Sequence, residues 1–321
     1  MSHSDDGAPK ALSPLHPLLL EQAAARQLRR GYAAIGVAEA RRIFLAGQAD
    51  GYPGPALAAI EDREIKTPQG ALPIRVYYPT ARPGARLVLY FHGGGFVFGN
   101  LDSHDRNIRR LAAASGAVMV SVDYRLAPEF PFPAGMEDAL FALRFIASAS
   151  ADFVSTPPQV FVAGDSAGAT LAIAAALALA EEGGPTLGGL LAFYPMLDLS
   201  NVGGTDSYAA FGDGRAGLSL ADALWFRDQY TPDPTVRTNW RCSPLLSESL
   251  VCLPPTLIIA AAHDVLRDEG AEFARRLHTA AVPVAHHVVD DMNHGFMGTT
   301  ATLPAISATL DVVSLWLQNR A

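Results

Sequence analysis

Short runs rich in β-branched and aromatic residues alternate with helix-length stretches through most of this chain, and that alternation leaves few folds open. The strand candidates are Ile60–Lys66, Leu72–Tyr78, Arg86–Phe91, Ala117–Asp123, Gln159–Ala163, Gly188–Phe193, Thr256–Ala262 and Val284–Val289. Several are continuous apolar runs, such as Leu87-Val88-Leu89-Tyr90-Phe91, the pattern of strands covered by helices on both faces. Helical stretches fall between them at Ser103–Ser115, Gly135–Ser148, Ala167–Glu182, Glu269–Ala281 and Pro304–Gln318, and Gly183-Gly184-Pro185 stops the third. The first two strands have no helix between them, so they pair antiparallel at one edge. The expected class is α/β: an eight-stranded, mostly parallel sheet with helices on both faces. Residues 1–50 precede the sheet as helices and residues 198–240 interrupt it. An insertion at the C-terminal ends of parallel strands lies over the usual ligand crevice, which makes both segments cap candidates. The expected organisation is N-terminal cap helices (1–50), a first core part (51–197), a cap insertion (198–240) and a second core part (241–321).

Composition narrows the function classes. Of 321 residues 50% are hydrophobic and 17% charged, below the roughly 25% charged residues of an average domain, which excludes disorder or a coiled coil for most of the chain. No repeat of solenoid or propeller period appears. The longest apolar stretch, Ala169 to Ala180, is too short to span a bilayer. Met1 to Lys10 is polar, and Leu18-Leu19-Leu20 leads into Glu21, Arg26, Arg29 and Arg30 as an amphipathic helix, so no signal peptide or anchor is visible and the expected location is cytoplasmic. With 24 Lys+Arg against 32 Asp+Glu the net charge is -8, which disfavours nucleic acid and anionic membranes as partners. Cys242 and Cys252 read as free buried thiols.

The chemistry concentrates in two glycine-rich motifs. Gly164-Asp165-Ser166-Ala167-Gly168 follows the apolar strand Val160-Phe161-Val162-Ala163 and opens the Ala-rich helix. A sharp strand-to-helix turn strains the serine backbone, and glycine two residues to either side removes the collisions that such a turn creates. The hydroxyl then projects at a helix N-terminus, where negative charge is stabilised; a plain turn with an N-capping serine is the simpler alternative. A serine needs a base, and the base needs an orienting acid. His92-Gly93-Gly94-Gly95 ends the strand before it, and three glycines let backbone N–H groups approach a substrate closely, as an oxyanion hole requires. His92 itself reads as a brace for that loop.

With these motifs, and with Asp123-Tyr124-Arg125-Leu126-Ala127-Pro128-Glu129 between them, the chain resembles the hormone-sensitive-lipase-like (family IV) esterases of the α/β-hydrolase fold, over roughly residues 50 to 321. The resemblance implies a helical cap and a triad in the order Ser, acid, His. Asp264 stands just past the strand Thr256–Ala262, where the acid belongs, and Leu266-Arg267-Asp268-Glu269-Gly270 resembles the continuation of the family's acid motif. Asp268 and Glu269 compete on paper but read as acids serving the helix dipole. His294, in Asn293-His294-Gly295-Phe296, resembles the catalytic histidine turn, while Asp290 and Asp291 read as solvated loop carboxylates. The implied catalytic set is Ser166, Asp264 and His294, with Gly94, Gly95 and Ala167 as oxyanion donors.

The implied chemistry is hydrolysis of short-to-medium acyl esters through an acyl-enzyme, with a small-molecule ester and water as partners and neither cofactor nor metal. His286 and His287 point to opposite faces of a strand and cannot share an ion, and His263 reads as structural. An amidase or lactonase would use the same triad, and a non-catalytic small-ligand receptor on this scaffold would be expected to lack the histidine. Phe211, Trp225 and Phe226, with Tyr230, either line an acyl pocket or form the insertion's own small core. The resemblance also allows a homodimer through the last strand, Val284–Val289.

Overall fold

A computed structural model describes residues 12–27, 31–49, 52–81, 84–154 and 158–320; the polar N-terminal stretch and Arg29-Arg30 of the amphipathic segment lie outside these. The eight expected strands are present: β1 (Ala59–Thr67), β2 (Gly70–Tyr78), β3 (Arg86–Phe91), β4 (Val118–Val122), β5 (Gln159–Asp165), β6 (Gly189–Phe193), β7 (Thr256–His263) and β8 (Val284–Asn293). They form one sheet in the order β1-β2-β4-β3-β5-β6-β7-β8. β2 pairs antiparallel with β1 and β4, and every other pairing is parallel. The chain is an α/β-hydrolase fold.

Ten α-helices complete the described chain. α1 (Pro17–Gln27), α2 (Tyr32–Ile35) and α3 (Val37–Ala49) precede the sheet. α4 (Leu101–Ser115), α5 (Ala134–Ser148) and α6 (Ala167–Glu181) cross over between strands. α7 (Asp206–Phe211) and α8 (Leu220–Tyr230) lie in the insertion after β6, and α9 (Arg267–Thr279) and α10 (Pro304–Gln318) follow β7 and β8. β3 shows why both faces are covered. Leu87, Leu89 and Phe91 join the core under α5 and α6, whereas Val88 and Tyr90 join the core under α4 and α10. α6 is buried on all sides from Ala167 to Leu179, as its alanine-rich, nearly charge-free sequence permits. On the opposite face of the sheet α4 starts with a reciprocal cap, in which Ser103 N–H donates to Asn100 Oδ1 at 2.8 Å and Asn100 N–H to Ser103 Oγ at 2.9 Å.

Two expectations need correction. Cys242 is buried, but Cys252 is exposed, because it sits on the turn before β7 and no element covers it. Asp290 and Asp291 belong to β8 itself, which runs on to Asn293, rather than to a loop. β8 is the edge strand of the sheet. Among the described residues no helix is long and apolar enough to cross a membrane.

Candidate active site

β5 ends in a turn so tight that Ser166 takes φ 53° and ψ −121°, a region L-residues avoid. The flanking glycines make it possible. A Cβ on Gly164 would lie 2.3 Å from Gly168 O, and one on Gly168 would lie 2.1 Å from Phe91 O. Ser166 N–H donates to Phe193 O at 2.8 Å, tying the turn to the end of β6.

The turn brings three expected residues together. Ser166 Oγ is 2.9 Å from His294 Nε2, and His294 Nδ1 is 2.8 Å from Asp264 Oδ2. With the proton on Nδ1 held by the carboxylate, Nε2 is left to accept from the serine hydroxyl. Asp264 is buried one residue past β7, and its Oδ1 accepts Leu266 N–H at 2.9 Å. The Tyr194 ring stands edge-on to the His294 ring, 5.1 Å between centroids.

Facing Ser166, the His92–Gly95 loop is held from behind. His92 is fully buried, donates from Nδ1 to Gly93 O (2.8 Å) and stacks on Tyr124, whose hydroxyl donates to His92 O at 2.7 Å. Burial pushes its imidazole down to about 3, so it stays neutral and serves as a brace. Asp165, beside Ser166, makes contacts that its place in the pentapeptide did not advertise. Its Oδ1 accepts both Tyr90 O–H (2.8 Å) and Gly93 N–H (2.9 Å), and its Oδ2 faces His104 Nε2 at 3.6 Å. Burial raises this carboxyl, but His104 and the Tyr90 hydroxyl outweigh that and leave it below the usual range. Gly93 N–H is thereby occupied. Gly94 (φ 117°) and Gly95 (φ 61°) turn the following amides, and among the described residues the N–H groups of Gly94, Gly95 and Ala167 donate to no protein acceptor.

Asp268 and Glu269 both open α9, where the dipole reading places them, but Glu269 has a further engagement. It is buried, with Oε2 accepting the N–H groups of Leu197 (2.5 Å) and Asp198 (3.0 Å) at the root of the insertion. Burial, with Asp198 and Asp264 nearby, pushes its carboxyl up to about 8 against the lowering effect of those two amides. Asp268 Oδ2 accepts Ser207 N–H at 2.7 Å, so it docks α7.

The insertion's aromatic residues do not form a core of their own. The Phe226 ring packs directly on Gly95, where a Cβ would come within 2.2 Å of it. Trp225 and Phe226 meet Phe98 from the glycine loop and Tyr32 from α2, with centroids 5.0 to 5.8 Å apart. Phe211 parts from them and lies against His263 and the Arg267 guanidinium. Tyr230 stacks on Phe96 at 3.8 Å. Gly217 comes close to Asn293, the residue before His294. Tyr32 and Phe98 were not separable from ordinary core residues by sequence, because their partners lie on other segments. His263 Nε2 donates to Ser13 O at 2.7 Å, a structural contact. Among the described residues no group of three or more His, Cys, Asp or Glu side chains could hold a metal ion.

A strained serine turn at the end of the fifth strand, a histidine and acid on later strand ends, and a glycine loop opposite define a hydrolase of the α/β class. A family model for the alpha/beta hydrolase fold matches residues 88–298. The carboxylic ester hydrolase LipN of Mycobacterium tuberculosis is 38% identical over 265 residues, covering 80% of this chain and 70% of that one. The ethyl acetate hydrolase of Pseudomonas putida is 37% identical over 273 residues, covering 81% and 82%. The crystal structure of a thermostable esterase from Pseudomonas putida superposes with a TM-score of 0.88 at 30% identity over 98% of each chain. The chain belongs to this α/β-hydrolase family, in its hormone-sensitive-lipase-like branch.

Proposed function

We propose that this protein is a serine carboxylesterase acting on small esters of short-to-medium acyl chain. The observation that carries the reading is the unbroken relay from Ser166 through His294 to Asp264, at 2.9 and 2.8 Å, facing unengaged amides of Gly94, Gly95 and Ala167. In the proposed reaction His294 takes the hydroxyl proton as Ser166 attacks the ester carbonyl, and Asp264 holds the imidazolium. The three amides hold the oxyanion. His294 returns the proton to the leaving alcohol, the acyl-enzyme forms, and water clears it by the same steps in reverse roles. No step calls for a metal or cofactor.

Residues 1–50 and 198–240 are read as the cap, since α2 and α8 together bring Tyr32, Trp225 and Phe226 over the glycine loop. This aromatic roof supports short acyl chains over long ones. The named activities of the relatives, esterase and ethyl acetate hydrolase, agree with that choice. An amidase or lactonase remains the second use of the same triad.

The test is a p-nitrophenyl ester series from acetate to palmitate on the wild type, with Ser166→Ala and Trp225→Ala. Acetate and butyrate are the expected substrates, palmitate a poor one. Ser166→Ala abolishes turnover, and Trp225→Ala shifts the optimum to longer chains. Turnover by Ser166→Ala at the wild-type rate would refute the nucleophile assignment.

A further inference from the structure

The glycine loop is a strained object. Gly94, Gly95 and Phe96 are three consecutive residues at positive φ (117°, 61° and 64°), and Phe96 lacks the freedom of glycine. Such a turn persists only where its surroundings over-determine it. Within the loop, Val97 and Phe98 N–H donate to Gly94 O at 3.1 and 2.8 Å. In that curl the Phe96 and Val97 carbonyls are taken by partners from other segments. Ala127 N–H donates to Phe96 O at 2.9 Å, linking the loop to the turn at 126–129. Val97 O is taken by a side chain from the N-terminal segment, the Arg41 guanidinium of α3.

Arg41 makes four hydrogen bonds to three places. Its Nε donates to Val97 O and its Nη2 to Ala127 O, each at 2.8 Å. Its Nη1 and Nη2 also grip Glu129 as a fork, at 2.8 and 2.7 Å. These hydrogen bonds hold the Glu129 carboxyl below its usual range. Lysine could not replace this geometry, because one ammonium cannot span two carbonyls and a bidentate carboxylate.

We propose that Arg41 is a positioning residue for the oxyanion hole: it latches α3 to the back of the glycine loop and thereby sets the direction of the Gly94 and Gly95 amides. The inference rests on the reading of those amides as oxyanion donors. It gives the N-terminal helices a part in the chemical step, beyond covering the site. Glu129 orients the guanidinium, and the two carbonyl bonds transmit the position. A residue of this kind acts on the transition state more than on substrate binding, since the oxyanion exists only there.

The experiment uses the full chain with Arg41→Met, Arg41→Lys and Glu129→Gln, assayed with p-nitrophenyl butyrate well below the melting temperature of each variant. In parallel, the rate of inactivation by diethyl p-nitrophenyl phosphate is measured, because its attack by Ser166 develops charge on a phosphoryl oxygen in the same hole. Arg41→Met is expected to lower kcat about 10-fold or more with KM moved less than about threefold, and to slow phosphorylation by a matching factor. Arg41→Lys recovers part of both losses. Glu129→Gln, which leaves the carbonyl bonds in place, loses less than about threefold. If Arg41→Met fails to fold, Arg41→Lys decides, with a drop of at least threefold in kcat and in phosphorylation expected. Unchanged kcat and phosphorylation in a folded Arg41 variant, or a change confined to KM, would overturn the latch. Ser166→Ala separates the two levels. If it still turns over ester, the site reading falls and the latch with it; if it is inert while the Arg41 variants keep full kcat, the latch alone falls.

Discussion

Replacing Glu269 by glutamine should change the pH dependence of folding stability more than it changes stability at low pH. In the folded chain this carboxyl is buried between α9 and the root of the insertion, faces Asp198 and Asp264, and is pushed up to about 8 from an ordinary 4.5. Below pH 4.5 the folded and unfolded chains both hold the proton, and the group's stabilising contribution is fully present. From 4.5 to about 8 only the folded chain holds it, so stability declines as pH rises; above 8 both have lost it and the decline ends. At about 1.4 kcal/mol per pH unit, that interval amounts to a loss on the order of 4 to 5 kcal/mol, a large part of a typical domain's net stability. Glutamine resembles the protonated acid, and its amide oxygen can still accept the Leu197 and Asp198 N–H groups. Guanidinium unfolding followed by circular dichroism at unit pH steps from 5 to 9 would give both profiles, and subtracting them removes groups the two proteins share. The expected difference curve rises by several kcal/mol in favour of Glu269→Gln between pH 5 and 8 and then levels. Parallel profiles would refute the reasoning, because they would mean that Glu269 is ionised in the folded chain at neutral pH.

Substitutions at Gly168 and Asp165 test how the site is held, with Gly47→Ala as an open-position control. Gly168→Ala would push a methyl group to 2.1 Å from the Phe91 carbonyl oxygen, and backbone cannot yield there, so thermal melts should show a loss above about 3 kcal/mol or no folded protein. Gly47→Ala, at an open position in α3, should instead be neutral or raise stability by up to about 1 kcal/mol. Asp165→Ala strands Tyr90 O–H and Gly93 N–H in the interior and should cost about 2 to 4 kcal/mol with a fall in kcat for p-nitrophenyl butyrate. Asp165→Asn keeps an acceptor for both donors and should retain most of the activity; equal losses in the two variants would show that the charge, rather than the acceptor, holds the loop.

What was legible in the sequence and what was not follow from the range of the contacts involved. The eight strands declare themselves because burial on both faces makes each a local apolar run, and Ser166 because its strained turn forces glycine within two residues on both sides. Asp264 and His294 are legible through the family resemblance and its chain order, each standing past a strand whose end the sequence placed short of its true limit, at Ala262 and Val289 rather than His263 and Asn293. Glu269 reads as a dipole acid when its helix is considered alone, yet its partners Leu197 and Asp198 lie 72 and 71 residues earlier. The aromatic residues of the insertion fail in the same way. Trp225, Phe226 and Tyr230 share one helix and Phe211 lies close before it, but three different segments claim them, and no periodicity announces which.

Asp165 makes the point at the site itself. In the pentapeptide its position looks free, since neither the turn nor Ser166 constrains it sterically. In space its one carboxylate oxygen takes the first amide of the glycine loop, 72 residues away. The serine turn and the glycine loop are therefore one mechanical unit joined through a buried charge, and Arg41 grips the far side of the same loop. Held at Gly93 from within and at Val97 from outside, the loop has little freedom left at the two residues between whose amides an oxyanion would sit. With those amides as the proposed oxyanion donors, a loop held in this way would need no rearrangement when the charge appears. Phe96, at φ 64°, is held in that loop by contacts from outside it as well, its ring stacked on Tyr230 of α8 in the insertion.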